Sequence, residues 1–135
     1  MWDRSKVKEE LMEVIDKHST FVCIGTTKAL FDAFAPYLGD YLKVLKVPVY
    51  GTSTKNVNAV NMYSSLNRIY NKDKVHDSNI VAIDSAVTYS KEKKNLIEVR
   101  IGKPIYPGAG VNKKLPTIGR HSLVMYTLTK DEVDD

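Results

Sequence analysis

Three short apolar runs constrain the fold most: STFVCIG at 19–25, VPVYG at 47–51 and SNIVAID at 78–84. Each reads as a strand: 19–25 and 78–84 carry continuous apolar runs of the kind buried in a parallel sheet, and 47–51 is a short strand. Between them lie segments of helical period. DAFAPYLGDYLKVLK places Phe34, Leu38, Leu42 and Leu45 on one face, with Pro36 acceptable only in the first turn. TSTKNVNAVNMYSSLNRIYNK supplies Ser53 and Thr54 as cap candidates for a second helix built on Val57, Val60, Leu66 and Ile69. Strands that alternate with helices at this spacing form a mostly parallel sheet covered by helices, a three-layer α/β/α fold.

The flanks extend this pattern. Val7, Leu11, Val14 and Ile15 predict an amphipathic helix opening the chain, with Asp3 or Ser5 to cap it. NLIEVRIG (95–102) alternates and predicts a strand with one wetter face, and HSLVMYTL (121–128) predicts a last strand. KEKKN before the fourth strand reads as a solvated turn, KPIYPGAGVNKKLPTIGR as a long loop, and TKDEVDD as a frayed acidic tail. With 135 residues the chain has the size of one domain: a helix over 1–18, an α/β core over 19–128 and a tail over 129–135.

Composition narrows the functional classes. Twenty basic and 16 acidic residues give a net charge of +4, and four of the acids (Asp131, Glu132, Asp134, Asp135) fall in the last five residues. The cations are spread along the chain without a nucleic-acid signature, so a solvated surface is expected and no specific nucleic-acid partner, with attraction to a polyanion or an acidic protein as the lesser alternative. No run is long enough to span a membrane, and the charged start lacks a signal core, which points to the cytoplasm. The one cysteine, Cys23, sits inside TFVCIG and reads as a small core residue.

Chemistry enters with Asp84, a carboxylate ending the third apolar run. Right-handed crossovers put the second and third strands on opposite sides of the first, which leaves a ligand-holding crevice at the carboxyl ends of the first and third. The loop leaving the first strand carries Asp32, the only acid between Ile24 and Asp40. Two carboxylates converging in a crevice cannot both ionise cheaply, which leaves one acid and one base for activating water against a peptide carbonyl. Simpler roles compete with this: Asp32 as a helix cap, Asp84 as a cap for a turn with Ser85. A divalent metal on the pair would need a third ligand. His121 is the histidine placed for that, while His18 and His76 read as surface residues.

FVCIGTTKALFDAFAPYL, VYGTSTKNVNAVN, IVAIDSAV and KPIYPGAGVNKKLPTIG resemble, in order and spacing, the blocks of YyaC-type sporulation proteins, over about residues 19–120. These are relatives of the spore germination protease and, more distantly, of the hydrogenase maturation proteases. The resemblance implies a maturation-protease-like (HybD-like) fold and an aspartate-dependent peptidase without metal or cofactor, in which Asp32 of DAFAP and Asp84 of VAID are catalytic. It also implies a protein or peptide substrate such as small acid-soluble spore proteins, a forespore or mother-cell location, and a chain able to self-associate. Gly108, Gly110, Asn112 and Lys113 of PGAGVNK are the expected substrate-binding residues, through backbone N–H groups turned toward the crevice; a rigid connection is the alternative. Thr27 departs from the family pattern, standing where an acid is common, and Phe31 and Ala35 stand where glycines are usual. Those departures keep open a second reading, an inactive protease-fold module that binds a sporulation partner or peptide.

Overall fold

The central strands are buried on both faces, and side chains alternate between those faces, so helices must cover each. The computed structural model describes residues 4–107, 115–129 and 132. The chain runs α1 (Arg4–Val14), β1 (Thr20–Cys23), a 3-10 turn (Leu30–Asp32), α2 (Phe34–Val44) and β2 (Val49–Tyr50). It continues through α3 (Met62–Leu66), prolonged by a π-helical turn (Asn67–Lys72), then β3 (Ile80–Thr88), β4 (Ile97–Arg100) and β5 (His121–Thr129). Five strands form one sheet in the order β2-β1-β3-β5-β4. All neighbours are parallel except β4, which runs antiparallel to β5. The mixed α/β, mostly parallel sheet and the flanking of β1 by β2 and β3 match the sequence expectation.

The period of two sorts the strand residues between two apolar clusters on opposite faces. Val22, Ile24, Ile80 and Ala82 join Met62, Leu66 and Ile69 in one. Phe21, Cys23, Val81 and Ile83 join Val14 and Ala35 in the other, with Leu11, Leu38 and Leu42 packed against it. Ile69, Ile80 and Ile83 are essentially fully buried, and burial of each stabilises the fold by about 1.5–3 kcal/mol. Pro36 lies in the first turn of α2, as its missing N–H requires.

Three boundaries differ from expectation. The third strand was expected to end at Asp84, but β3 runs on to Thr88 because β5 pairs with it throughout, with a bulge between Ala86 and Val87. The second connecting helix does not start after Ser53 or Thr54; it begins at Met62, and Val60 is 93% exposed. Asparagine chemistry explains the delay. Asn58 Oδ1 accepts from the Val60 and Asn61 N–H groups, and Asn61 Oδ1 accepts from the Asn58 N–H, turns that compete with helix. Glu132, expected in a frayed tail, accepts hydrogen bonds from the N–H and hydroxyl of Thr129 and pairs with Lys94 Nζ at 2.9 Å. Among the described residues no helix is long and apolar enough to cross a membrane.

Candidate functional site

The site forms where β1 stops and β3 continues. Cys23 and Ile83 are the last ladder pair between these strands, and the Ile24 N–H still reaches the Ile83 carbonyl at 2.7 Å. Asp84 is therefore the first residue of β3 beyond the end of β1, paired on its other side with Val124 of β5. The notch left by β1 is closed by the loop that follows it. A Cβ on Gly25 would lie 2.3 Å from the Asp32 carbonyl oxygen, so only glycine lets the loop fold back this closely. The Thr26 N–H donates to the Asp32 carbonyl at 3.1 Å and to its Oδ2 at 3.2 Å. Thr127 Oγ1 of β5 donates to the Phe31 carbonyl at 2.7 Å, tying the 3-10 turn across the end of the sheet.

Neither aspartate has the cap role open to it from sequence. Ala33, not Asp32, stands at the N-cap of α2, with no side-chain hydrogen bond; the Asp32 carboxylate is turned back to Thr26 instead. Asp84 lies within a strand, so there is no turn for it to cap, although its Oδ1 accepts from the Ser85 N–H at 2.8 Å. Burial pushes the Asp84 carboxyl up to about 8, against the pull of the Ser85 N–H, and the negative charge of Asp32 raises it further. Burial also raises Asp32, opposed by the Thr26 N–H. The structure thus brings the two acids within electrostatic reach of each other, and the difference between them has a direction. Near neutral pH Asp84 keeps its proton more readily, while Asp32 is the better carboxylate.

The remaining sequence candidates fall elsewhere. His121 pairs in register with Val81, three residues before Asp84 on β3, about 10 Å back along the strand. Its Nδ1 accepts the Gly102 N–H at 2.7 Å, and burial followed by the charge of Arg120 lowers its pKa. As a third ligand for the aspartates it is ruled out by this placement. The described residues contain no group of three or more His, Cys, Asp or Glu arranged to hold a metal. Cys23 is fully buried and its thiol is pushed up to about 12 by that burial, as a core residue's should be. His18 and His76 are exposed. Gly108, Gly110, Asn112 and Lys113 lie outside the described residues; the two ends of their loop are pinned by reciprocal Ile105–Ile118 backbone bonds of 2.9 and 3.0 Å.

Sequence reading missed Gly25 and Thr26 as groups that position the acids, and linked Ser85 to Asp84 only through a turn. Thr26 and Gly25 shape the return of the loop onto Asp32, and Ser85 supplies the N–H to Asp84. Ser85 Oγ and Ser122 Oγ are buried without a hydrogen-bond partner among the described residues, an arrangement that costs about 1–3 kcal/mol per group. A glycine directly after a buried strand and the Asp-Ser pair were the available signals. The departures at Phe31 and Ala35 also take on definite places. Phe31 is half exposed, whereas Ala35 of α2 is fully buried in the core cluster with Phe21 and Ile83.

The chain belongs to the family described as protein of unknown function (DUF1256), whose family model matches residues 4–133. It is 34% identical over 118 residues to an uncharacterized protein, YyaC, of Bacillus subtilis (strain 168), an alignment covering 84% of this chain and 55% of that protein. The chain therefore spans just over half the length of this curated relative. No solved structure matches it.

Proposed function

We propose that this member of the DUF1256 family is an aspartate-dependent peptidase of the germination-protease type, built on the three-layer fold of the hydrogenase maturation proteases. The observation that supports it is the placement of Asp32 and Asp84 at one notch at the end of β1, close enough that the charge of one raises the pKa of the other. Their unequal environments assign the roles. Asp32, whose carboxylate accepts the Thr26 N–H, takes a proton from water as its oxygen adds to the peptide carbonyl. Asp84, protonated at neutral pH, gives its proton to the departing amine as the C–N bond breaks. The pair then stands with its proton exchanged and resets through solvent. Neither step requires a metal or cofactor. The substrate is a protein or peptide, with small acid-soluble spore proteins the candidates that kinship to the germination protease suggests, in the cytoplasm of the forespore or mother cell.

The test is cleavage of a peptide library followed by mass spectrometry. Asp84→Asn should reduce cleavage by about 10²-fold or more, the scale of a positioned proton donor, while its circular dichroism stays that of the parent. Equal turnover by variant and parent would overturn the catalytic assignment. A second reading, an inactive module that binds a sporulation partner or peptide, draws support from Thr27. It occupies an acid's usual place, and its N–H and hydroxyl go to Asn56 and Ser53 of the neighbouring loop. Partner capture that survives substitution of both aspartates, with no cleavage by the parent, would favour it.

A further inference from the structure

One cleft of the molecule is lined by neither aspartate. It has a volume of about 990 Å³ and runs along β2, one of the two edge strands of the sheet, from the loop after β1 to the turn at Arg68. Lys28, Lys43, Lys46, Lys55 and Arg68 line it, and no acidic side chain does. Arg68 faces Asp73 at 3.8 Å, and the pKa of Asp40 is lowered by hydrogen bonding to Ser53 and, to a lesser degree, by the charge of Lys43. Lys28, Lys46 and Lys55 form no ion pair with any described residue.

The rim of this cleft is also a strand edge. In the β1–β2 ladder Val49 is partnered with Phe21, and the Phe21 N–H bonds the Pro48 carbonyl at 2.9 Å. In a parallel ladder of that phase the bonds to Phe21 come from the neighbours of Val49, so Val49 turns its own N–H and C=O outward, toward the cleft. An open edge of this kind accepts a further strand. Side chains of an added strand would point alternately to the two faces of the sheet. Cations serve both faces: Lys43 and Lys46 come from the end of α2, which packs on the Phe21 side, and Arg68 from the helical turn packed on the Val22 side.

One cation is held there in an unfavourable conformation. The end of α2 is a Schellman stop: the Val47 N–H bonds the Leu42 carbonyl and the Lys46 N–H bonds the Lys43 carbonyl. That motif wants glycine at the residue in the left-handed region, and Lys46 sits there with φ 61°. Lys74, φ 57°, is the same anomaly at a position outside the cleft.

We propose that the β2 edge binds an extended acidic peptide segment, main chain to the Val49 rim and carboxylates to the flanking lysines. This site stands apart from the aspartate pair and holds whether or not that pair cleaves. Nucleic acid is the rival polyanion, but it would use the charge without the strand edge.

The experiment is fluorescence anisotropy with a labelled peptide alternating Glu and Val, using the Asp84→Asn protein so that no cleavage intervenes. The acidic peptide should bind, its Lys-for-Glu counterpart should not, and added salt should weaken binding. Lys46→Glu with Lys55→Glu should weaken it by about tenfold or more. Val49→Pro, which removes the outward N–H at an edge position where proline is tolerated, should weaken it also. Lys46→Gly should lose about threefold while Lys74→Gly loses nothing, and since both relieve strain neither result can be attributed to misfolding. Binding unaffected by Val49→Pro, absence of peptide binding, or a single-stranded oligonucleotide of matched charge binding more tightly than the peptide would each overturn the proposal.

Discussion

A carboxyl whose pKa is raised in the folded protein leaves a signature in stability as well as in chemistry. Asp84 titrates at about 8 in the native chain, against an ordinary aspartate value near 4 when unfolded. Between those pH values the native state binds the proton that the unfolded state has lost. The stability associated with protonated Asp84 is therefore complete below about pH 4, declines as pH rises, and is gone above about pH 8. Within that window the decline approaches about 1.4 kcal/mol per pH unit for one group. Asp84→Asn should flatten it, leaving the contribution of Asp32, whose shift has the same sign, and the opposing one of His121, whose pKa is lowered. Urea denaturation from pH 4 to 9 measures this directly; parallel curves for parent and variant would mean that the Asp84 carboxyl is not desolvated. At this scale the sequence was readable in part. Crossover geometry led to two acids that the structure places near each other at the end of β1, although the strand taken to end at Asp84 runs on to Thr88. The N–H groups that make the acids unequal did not follow, since which backbone donor meets which oxygen depends on how a glycine turn closes.

Elements were legible where one force dominates and misjudged where two compete. β1 and the buried part of β3 stand out because uninterrupted Val, Ile and Phe can only be sheet core. The far half of β3 did not, because Asp84, Ser85 and Thr88 are polar and are kept in strand by pairing with β5, a partner distant in sequence. The helix starting at Met62 was placed too early because helical spacing of Val57 and Val60 was read without the asparagine turns that capture the same backbone. The stop of α2 carries a quantitative prediction. Relieving the left-handed strain at Lys46 gains about 1–2 kcal/mol, and the freer unfolded chain of a glycine variant returns about 0.4–1 kcal/mol of that. Lys46→Gly should thus raise stability by about 0.5–1 kcal/mol, read as a higher urea midpoint at unchanged m-value. A lower midpoint would show that the lysine stem packs well enough to outweigh its backbone cost. A stabilised protein that binds the acidic peptide less well would mean that Lys46 is retained for its charge.

Across the whole molecule, strand order sets where the fold should open first. β1, β3 and β5 each have a neighbour on both sides, whereas β2 and β4 close the sheet as edges. β2 contributes two residues, both half-buried, and β4 contributes four, of which Val99 alone is buried. Val22, Ile83 and Leu123, in contrast, lie in the core of the three central strands. Local opening of an edge releases few apolar contacts, so its free-energy cost is a fraction of the global value, while exposure of a central strand requires unfolding the whole. Native-state hydrogen exchange should therefore find the slowest amides in Val22, Ile83 and Leu123, exchanging at the rate set by global unfolding, with β2 amides faster by orders of magnitude. Saturating acidic peptide should slow exchange in β2 and leave β4 unchanged, because a strand added to one edge removes that edge alone. Equal protection of β2 and β3 in the free protein would contradict the edge assignment, and peptide-induced protection spread evenly over both edges would mean that the ligand stabilises the chain globally without pairing to β2.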